Sequence, residues 1–144
     1  MKDHVLRIEY FSLTTDDRPG VGAELGKRLA KENVNLLGML EIPSQAGKVQ
    51  VDLVPENPDL FMRAARKLGL TTSMPKLAFL TQSIDRPTAI FDLLDRLGSS
   101  SINVRSLIAL NAGGNRYGAI VFVDPTSIEE ATRVLEANVI AHHI

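Results

Sequence analysis

The sequence contains no cysteine and no tryptophan, and aromatic residues make up only 5% of its 144 positions. Without cysteine there is no disulfide framework, thiol nucleophile, thiolate zinc site or iron–sulfur cluster. Charge of one sign is also lacking: 16 Lys+Arg stand against 17 Asp+Glu, for a formal net charge of -1. That balance leaves no cationic surplus to release counterions from a polyphosphate, which argues against a partner nucleic acid or an anionic membrane. Long hydrophobic runs are missing, so neither a membrane span nor a signal-peptide core is expected, and a cytoplasmic location is. The histidines are His4, His142 and His143. Neighbours on a strand point to opposite faces, so the adjacent pair is ill placed to share a metal ion. No Ser, His and Asp set has the spacing of a nucleophilic triad. The expectation is a protein that is not an enzyme and uses no metal or cofactor.

What the sequence does contain is a repeat. Asp17-Arg18-Pro19 recurs 68 residues later as Asp85-Arg86-Pro87. The same offset carries Leu25 to Leu93, Leu29 to Leu97, Val34 to Ile102, Asn35 to Asn103 and Leu36 to Val104. A slip of one residue aligns Leu68 with Leu135. Such self-similarity is read before any local pattern, because it sets the fold. It divides the chain into two units, residues 1–74 and 75–144.

Within the first unit, residues 5–15 alternate as a strand does, with Leu6, Ile8 and Tyr10 on one face. Asp17-Arg18-Pro19-Gly20 breaks the strand and opens a helix, proline being tolerated in a first turn. Val21, Leu25 and Leu29 recur at helical spacing, and Lys27, Arg28 and Lys31 fall toward the end where the helix dipole favours cations. A strand over 35–42 turns at Ser44–Lys48 into a hairpin partner at 49–53. A second helix is predicted from Pro58 and a short fourth strand near 70–74. The second unit repeats this order. The fold class is therefore α+β: two ferredoxin-like βαββαβ units in tandem, with antiparallel sheets and helices on one face. Strands 36–42 and 117–123 are apolar on both faces, which predicts that the bare sheet faces pack against another sheet, in the same chain or a second copy.

Two such units, each with Asp-Arg-Pro before its first helix and an Asn opening its second strand, resemble the ACT domain family. The residues carrying the resemblance are Asp17-Arg18-Pro19-Gly20-Val21-Gly22-Ala23-Glu24-Leu25 and Leu29 through Leu36, and more loosely Asp85-Arg86-Pro87 with Ile102-Asn103-Val104. The resemblance implies a small-molecule sensor, usually for amino acids, that regulates a metabolic enzyme. It places the ligand between paired units, at the loop from strand 1 to helix 1 of one unit and the start of strand 2 of its neighbour. Carried over, that implies Thr15, Asp17, Gly20, Val21, Gly22, Asn35 and Leu37, and in the second unit Ser83, Asp85, Thr88 and Asn103.

The chemistry agrees with the implication. Helix-start N–H groups suit a carboxylate, glycine permits close approach to the backbone, and Asp17 or Asn35 offers oxygen to an ammonium. In the second unit Thr88 and Ile90 replace Gly20 and Gly22, so the first loop is the expected working site. The run Gly20-Val21-Gly22-Ala23-Glu24-Leu25-Gly26 looks like a dinucleotide loop, but Asp-Arg-Pro intervenes after the strand and the next strand returns by a hairpin. Arg116 through Phe122 holds only two aromatics, too few for an RNA-stacking sheet. The expected function is an amino-acid-responsive regulator acting as a homodimer with a metabolic enzyme partner. The alternative is a scaffolding module of the same fold without ligand binding.

Overall fold

Helix boundaries follow from local chemistry. In the computed structural model, which describes residues 4–84 and 88–139, α1 spans Val21–Lys31 and α2 spans Pro58–Leu68. Asn57 caps α2 by accepting from the Leu60 N–H at 3.1 Å, and Pro58 takes the first helical position, where no N–H is needed. At α1 the expected first-turn proline lies outside the helix: Gly20, at φ 86, is the N-cap, so the chain turns through a left-handed residue after Pro19. The remaining elements are β1 (His4–Asp16), β2 (Leu36–Pro43), β3 (Lys48–Pro55), β4 (Lys76–Ile84), α3 (Ala89–Ser99), β5 (Val104–Asn111), β6 (Arg116–Val123), a 3-10 turn at Pro125–Ser127, α4 (Ile128–Val134) and β7 (Asn138–Val139).

The chain resolves into two compact units, one of Glu9–Lys76 and the other of residues 4–8 with 77–139. Strand β1 therefore contributes its first residues to one unit and the rest to the other. In the Glu9–Lys76 unit, β2 pairs antiparallel with β3 and β3 with β1, in register from Phe11↔Leu53 to Asp16↔Lys48. Helices α1 and α2 cover one face, and Phe11, Leu29, Leu53 and Phe61 are at most 1% exposed in the core between them. No strand forms over 70–74. The Ser73 N–H donates to Ser12 O and the Ser73 hydroxyl accepts from the Ser12 N–H, a side-chain bond standing where a ladder bond would lie, and Pro75 has no N–H to extend the pairing.

The second unit has the strand order β7-β1-β4-β6-β5, with β7 parallel to β1 at Leu6↔Asn138 and the β4–β6 and β5–β6 pairs antiparallel. Helices α3 and α4 cover its core of Phe79, Leu97, Val121, Ala131 and Leu135, which Val5 from β1 completes. The expected face of Leu6, Ile8 and Tyr10 exists, but Val5, Phe11 and Leu13 on the other side of β1 enter the helix-covered cores. Between them Arg7 turns to α4 and donates to Glu129 Oε1 at 3.2 Å. On β5, Ile108 and Leu110 remain 48% and 65% exposed, whereas Ala78 and Leu80 on β4, on the same sheet face, are buried.

The duplication is conserved at the backbone. Asn33 and Ser101, at φ 62 and 57, terminate α1 and α3 identically, each donating its N–H three residues back while the following residue reaches five back. The hairpins at Ser44–Lys48 and Ala112–Arg116 share the same two bonds. A left-handed Ser pays a steric penalty that glycine avoids. Ser101→Gly should therefore raise stability by about 1 kcal/mol, measured by chemical denaturation.

Candidate functional site

The corner between β1 and α1 is built from polar loop geometry over an apolar floor. Strand β1 ends at Asp16, whose carboxylate lies 2.6 Å from Lys48 Nζ and is held below the usual range by that bond. The Asp17 N–H then donates to Gly47 O at 3.0 Å, tying the loop to the neighbouring hairpin. Gly20 turns the chain into α1, which leaves Arg18 facing Glu24 on the first turn of the helix, Nη2 to Oε2 at 2.8 Å. Their shared hydrogen bond lowers the Glu24 pKa and raises that of Arg18.

Beside this pair opens a cleft of about 340 Å³. Leu13 and Leu25 supply buried apolar walls, with Val21 and Leu70 between them. Thr14, Thr15 and Thr71 bring hydroxyls, and Arg18, Glu24 and Arg28 bring charge. Glu24 and Arg28 stand one turn apart on α1 and so project from the same side. Arg28 is anchored by donating Nη2 to Leu68 O, at the end of α2, at 2.7 Å. The last wall is Gly69 through Thr71, the chain leaving α2. A volume of this size with two cationic groups, one anionic group and an aliphatic floor can hold a small polar molecule bearing a hydrocarbon group.

Of the residues expected at a site, Thr15 and Val21 line the cleft. Asp17 and Gly20 shape the loop at its rim without lining it. Gly22 faces β2: a Cβ there would meet the Glu41 carboxyl oxygen, with Met39 next. Asn35 is engaged elsewhere, its side-chain amide donating to Glu56 Oε2 while its carbonyl accepts from the Glu56 N–H. Leu37 is 38% exposed on β2. In the second unit Ser83 is buried at 7%, Thr88 is the exposed N-cap of α3 and Asn103 is exposed. Asp85 lies outside the described residues. Sequence reading missed Arg18, Glu24, Arg28 and Gly69 as cleft residues. A signal for Arg28 was present, since the repeat offset carries it to Arg96, a basic residue at the matching place in α3.

Among the described residues no group of three acidic or histidine side chains is placed to hold a metal ion, and no helix is long and apolar enough to cross a membrane. No protein-family model matches the chain, and no curated protein matches it in sequence. Solved structures match it in fold. The crystal structure of protein BT0572 from Bacteroides thetaiotaomicron aligns with TM-score 0.74 over 93% of this chain and 88% of that one, at 17% identity. The ligand-free regulatory subunit of aspartate kinase from Thermus thermophilus aligns with TM-score 0.58 over 92% and 94%, at 12% identity. Aspartokinase III of E. coli, in complex with lysine and aspartate, aligns with TM-score 0.50 over 92% of this chain and 31% of its own, at 14% identity. At these identities the likeness is one of fold: two ferredoxin-like units with the architecture of ACT-domain proteins.

Proposed function

We propose that this chain, with the fold of the aspartate kinase regulatory subunits, is a non-catalytic regulatory module that binds an amino acid and transmits its presence to a metabolic enzyme in the cytoplasm. The observation that carries the reading is the cleft at the β1–α1 corner, which pairs opposite charges with an aliphatic floor. A zwitterion presents a carboxylate and an ammonium a few ångströms apart, and each finds a counter-charge there. Thr15, Val21, Arg18, Glu24 and Arg28 are the proposed contacts within the cleft. Asp17, Gly20 and Gly22 set the loop and helix entry, and Asn35, just before β2, and Leu37 on it are proposed as the surface offered to a neighbouring unit's ligand. Ser83, Asp85, Thr88 and Asn103 are the corresponding positions of the second unit. A ligand with higher affinity for one arrangement of the units would shift the population toward it.

Thermal unfolding in the presence of each proteinogenic amino acid at millimolar concentration tests this. One or a few should raise Tm in a concentration-dependent way, since binding to the native state alone stabilises by mass action. No rise with any of them favours the scaffolding alternative, for which Ile108 and Leu110 on β5 supply an exposed apolar strand face and a homodimer its first candidate partner. The pH dependence follows from Glu24. Its carboxyl titrates below the ordinary value, so the acceptor for an ammonium is present throughout neutral pH and is lost only as pH falls below the usual glutamate range of about 4.3. Binding measured by calorimetry should accordingly be flat from neutral to mildly acidic pH.

A further inference from the structure

The two halves of the duplication differ at one place in a way that identifies what the cleft receives. Helix α2 is followed by the left-handed Gly69, and the matching turn after α4 by the left-handed Glu136. The equivalence is fixed by hydrogen bonds: the Gly69 N–H donates to Arg66 O and the Leu70 N–H to Ala65 O, while the Glu136 N–H donates to Arg133 O and the Ala137 N–H to Thr132 O. Both residues are left-handed, at φ 70 and φ 51. Glycine takes this conformation freely, whereas a glutamate there is strained.

Against each turn stands an arginine from the preceding helix. Arg28 donates to Leu68 O at 2.7 Å, and Arg96 donates to Val134 O, one residue earlier in its turn, at 2.6 Å. Arg96 also has a carboxylate, Glu136 Oε2, at 3.9 Å. Arg28 has no ion pair of its own among the described residues; Glu24, one turn back, bonds to Arg18. Where the second unit places the Glu136 side chain, the first places Gly69, which has none. Gly69 lines the cleft, and a Cβ built there meets nothing within 4 Å.

We propose that Arg28 is the carboxylate receptor of the cleft, and that the ligand's carboxylate seats against it in the space Gly69 leaves open, as Glu136 stands beside Arg96. The ligand is then a small carboxylic acid, and Glu24, on the same side of α1, is placed for its ammonium. This rests on the reading that the β1–α1 corner binds an amino acid, and it adds which residue reads the acid and why the second half of the chain does not.

The test rebuilds the second unit's arrangement in the first. Binding of the amino acid that gives the largest rise in Tm is measured by calorimetry on the full chain, for the wild type and for Gly69→Glu, Gly69→Ala and Arg28→Met. Gly69→Glu should supply the carboxylate internally and weaken binding at least about tenfold, the scale of one lost charge-assisted hydrogen bond. Gly69→Ala carries the same backbone strain without the carboxylate and should weaken binding clearly less than Gly69→Glu does. Arg28→Met should lose binding as Gly69→Glu does; if it fails to fold, the two Gly69 variants decide alone. The decarboxylated amine of the same amino acid should not bind. Equal binding by Gly69→Glu and wild type, equal losses in both Gly69 variants, or binding of the amine would overturn the assignment while leaving the corner as the binding site. No rise in Tm with any amino acid would overturn the assignment and the functional reading together.

Discussion

Replacing Phe61 by alanine should cost the Glu9–Lys76 unit about 3–5 kcal/mol, the range for emptying a large aromatic site in a core. Phe61 is fully buried on α2, and its ring lies 4.6 Å from that of Phe11 on β1, centroid to centroid, at an interplanar angle of 35°. The contact joins the helix layer to the sheet at one point, and the surrounding Leu29, Val51 and Leu53 are themselves almost wholly buried. Their side chains cannot collapse into the void without breaking packing elsewhere, which places the expected cost high in its range. Denaturant unfolding followed by hydrogen exchange reads both magnitude and location, with protection lost first in α1, α2 and β3. A cost under about 1 kcal/mol would mean the site relaxes freely and the packing described is wrong.

The second large effect falls on a residue that the repeat alone assigns to the other half. Val5 is 3% exposed and belongs to the core of Phe79, Leu97, Val121 and Leu135. Val5→Asp places a carboxylate there with no partner, for which about 3–5 kcal/mol is the expected penalty. The loss of amide protection should centre on α3, β6 and α4, although the substitution lies more than 70 residues earlier in the chain. Loss centred instead on α1 and α2 would contradict the division of β1 between the units.

The same strand marks the limit of what the sequence discloses. Helices α1 and α3, both hairpins and the start of α2 are legible because each rests on local signals: apolar spacing, a glycine or proline at a boundary, a short polar turn. The repeat then supplies topology. The allotment of Val5 to one core and of Phe11 to another is a long-range fact, and alternation along β1 is the same in either case. The missing strand at 70–74 is similar, since the Ser73 hydroxyl takes the place of a ladder partner only where Ser12 lies beside it. Of the cleft, the loop is legible through Asp17, Gly20 and Val21. Arg28 reads in sequence as a cation near a helix end, a role that its bond to the Leu68 carbonyl leaves intact but does not exhaust.

The division of β1 also bears on how the chain acquires its structure in time. Residues 4–8 are synthesised well before the rest of their unit, and the strands and helices they complete are not made until 77–139 have followed. Every described residue of the core of the Glu9–Lys76 unit lies before residue 77, so that core can form during synthesis. Val5 must then wait for Phe79 and Leu135, contacts that span most of the chain and raise its contact order. The second unit should be the slower of the two to fold, and chains interrupted before residue 77 would display an unpaired, apolar strand end, the feature that exposes nascent proteins to aggregation.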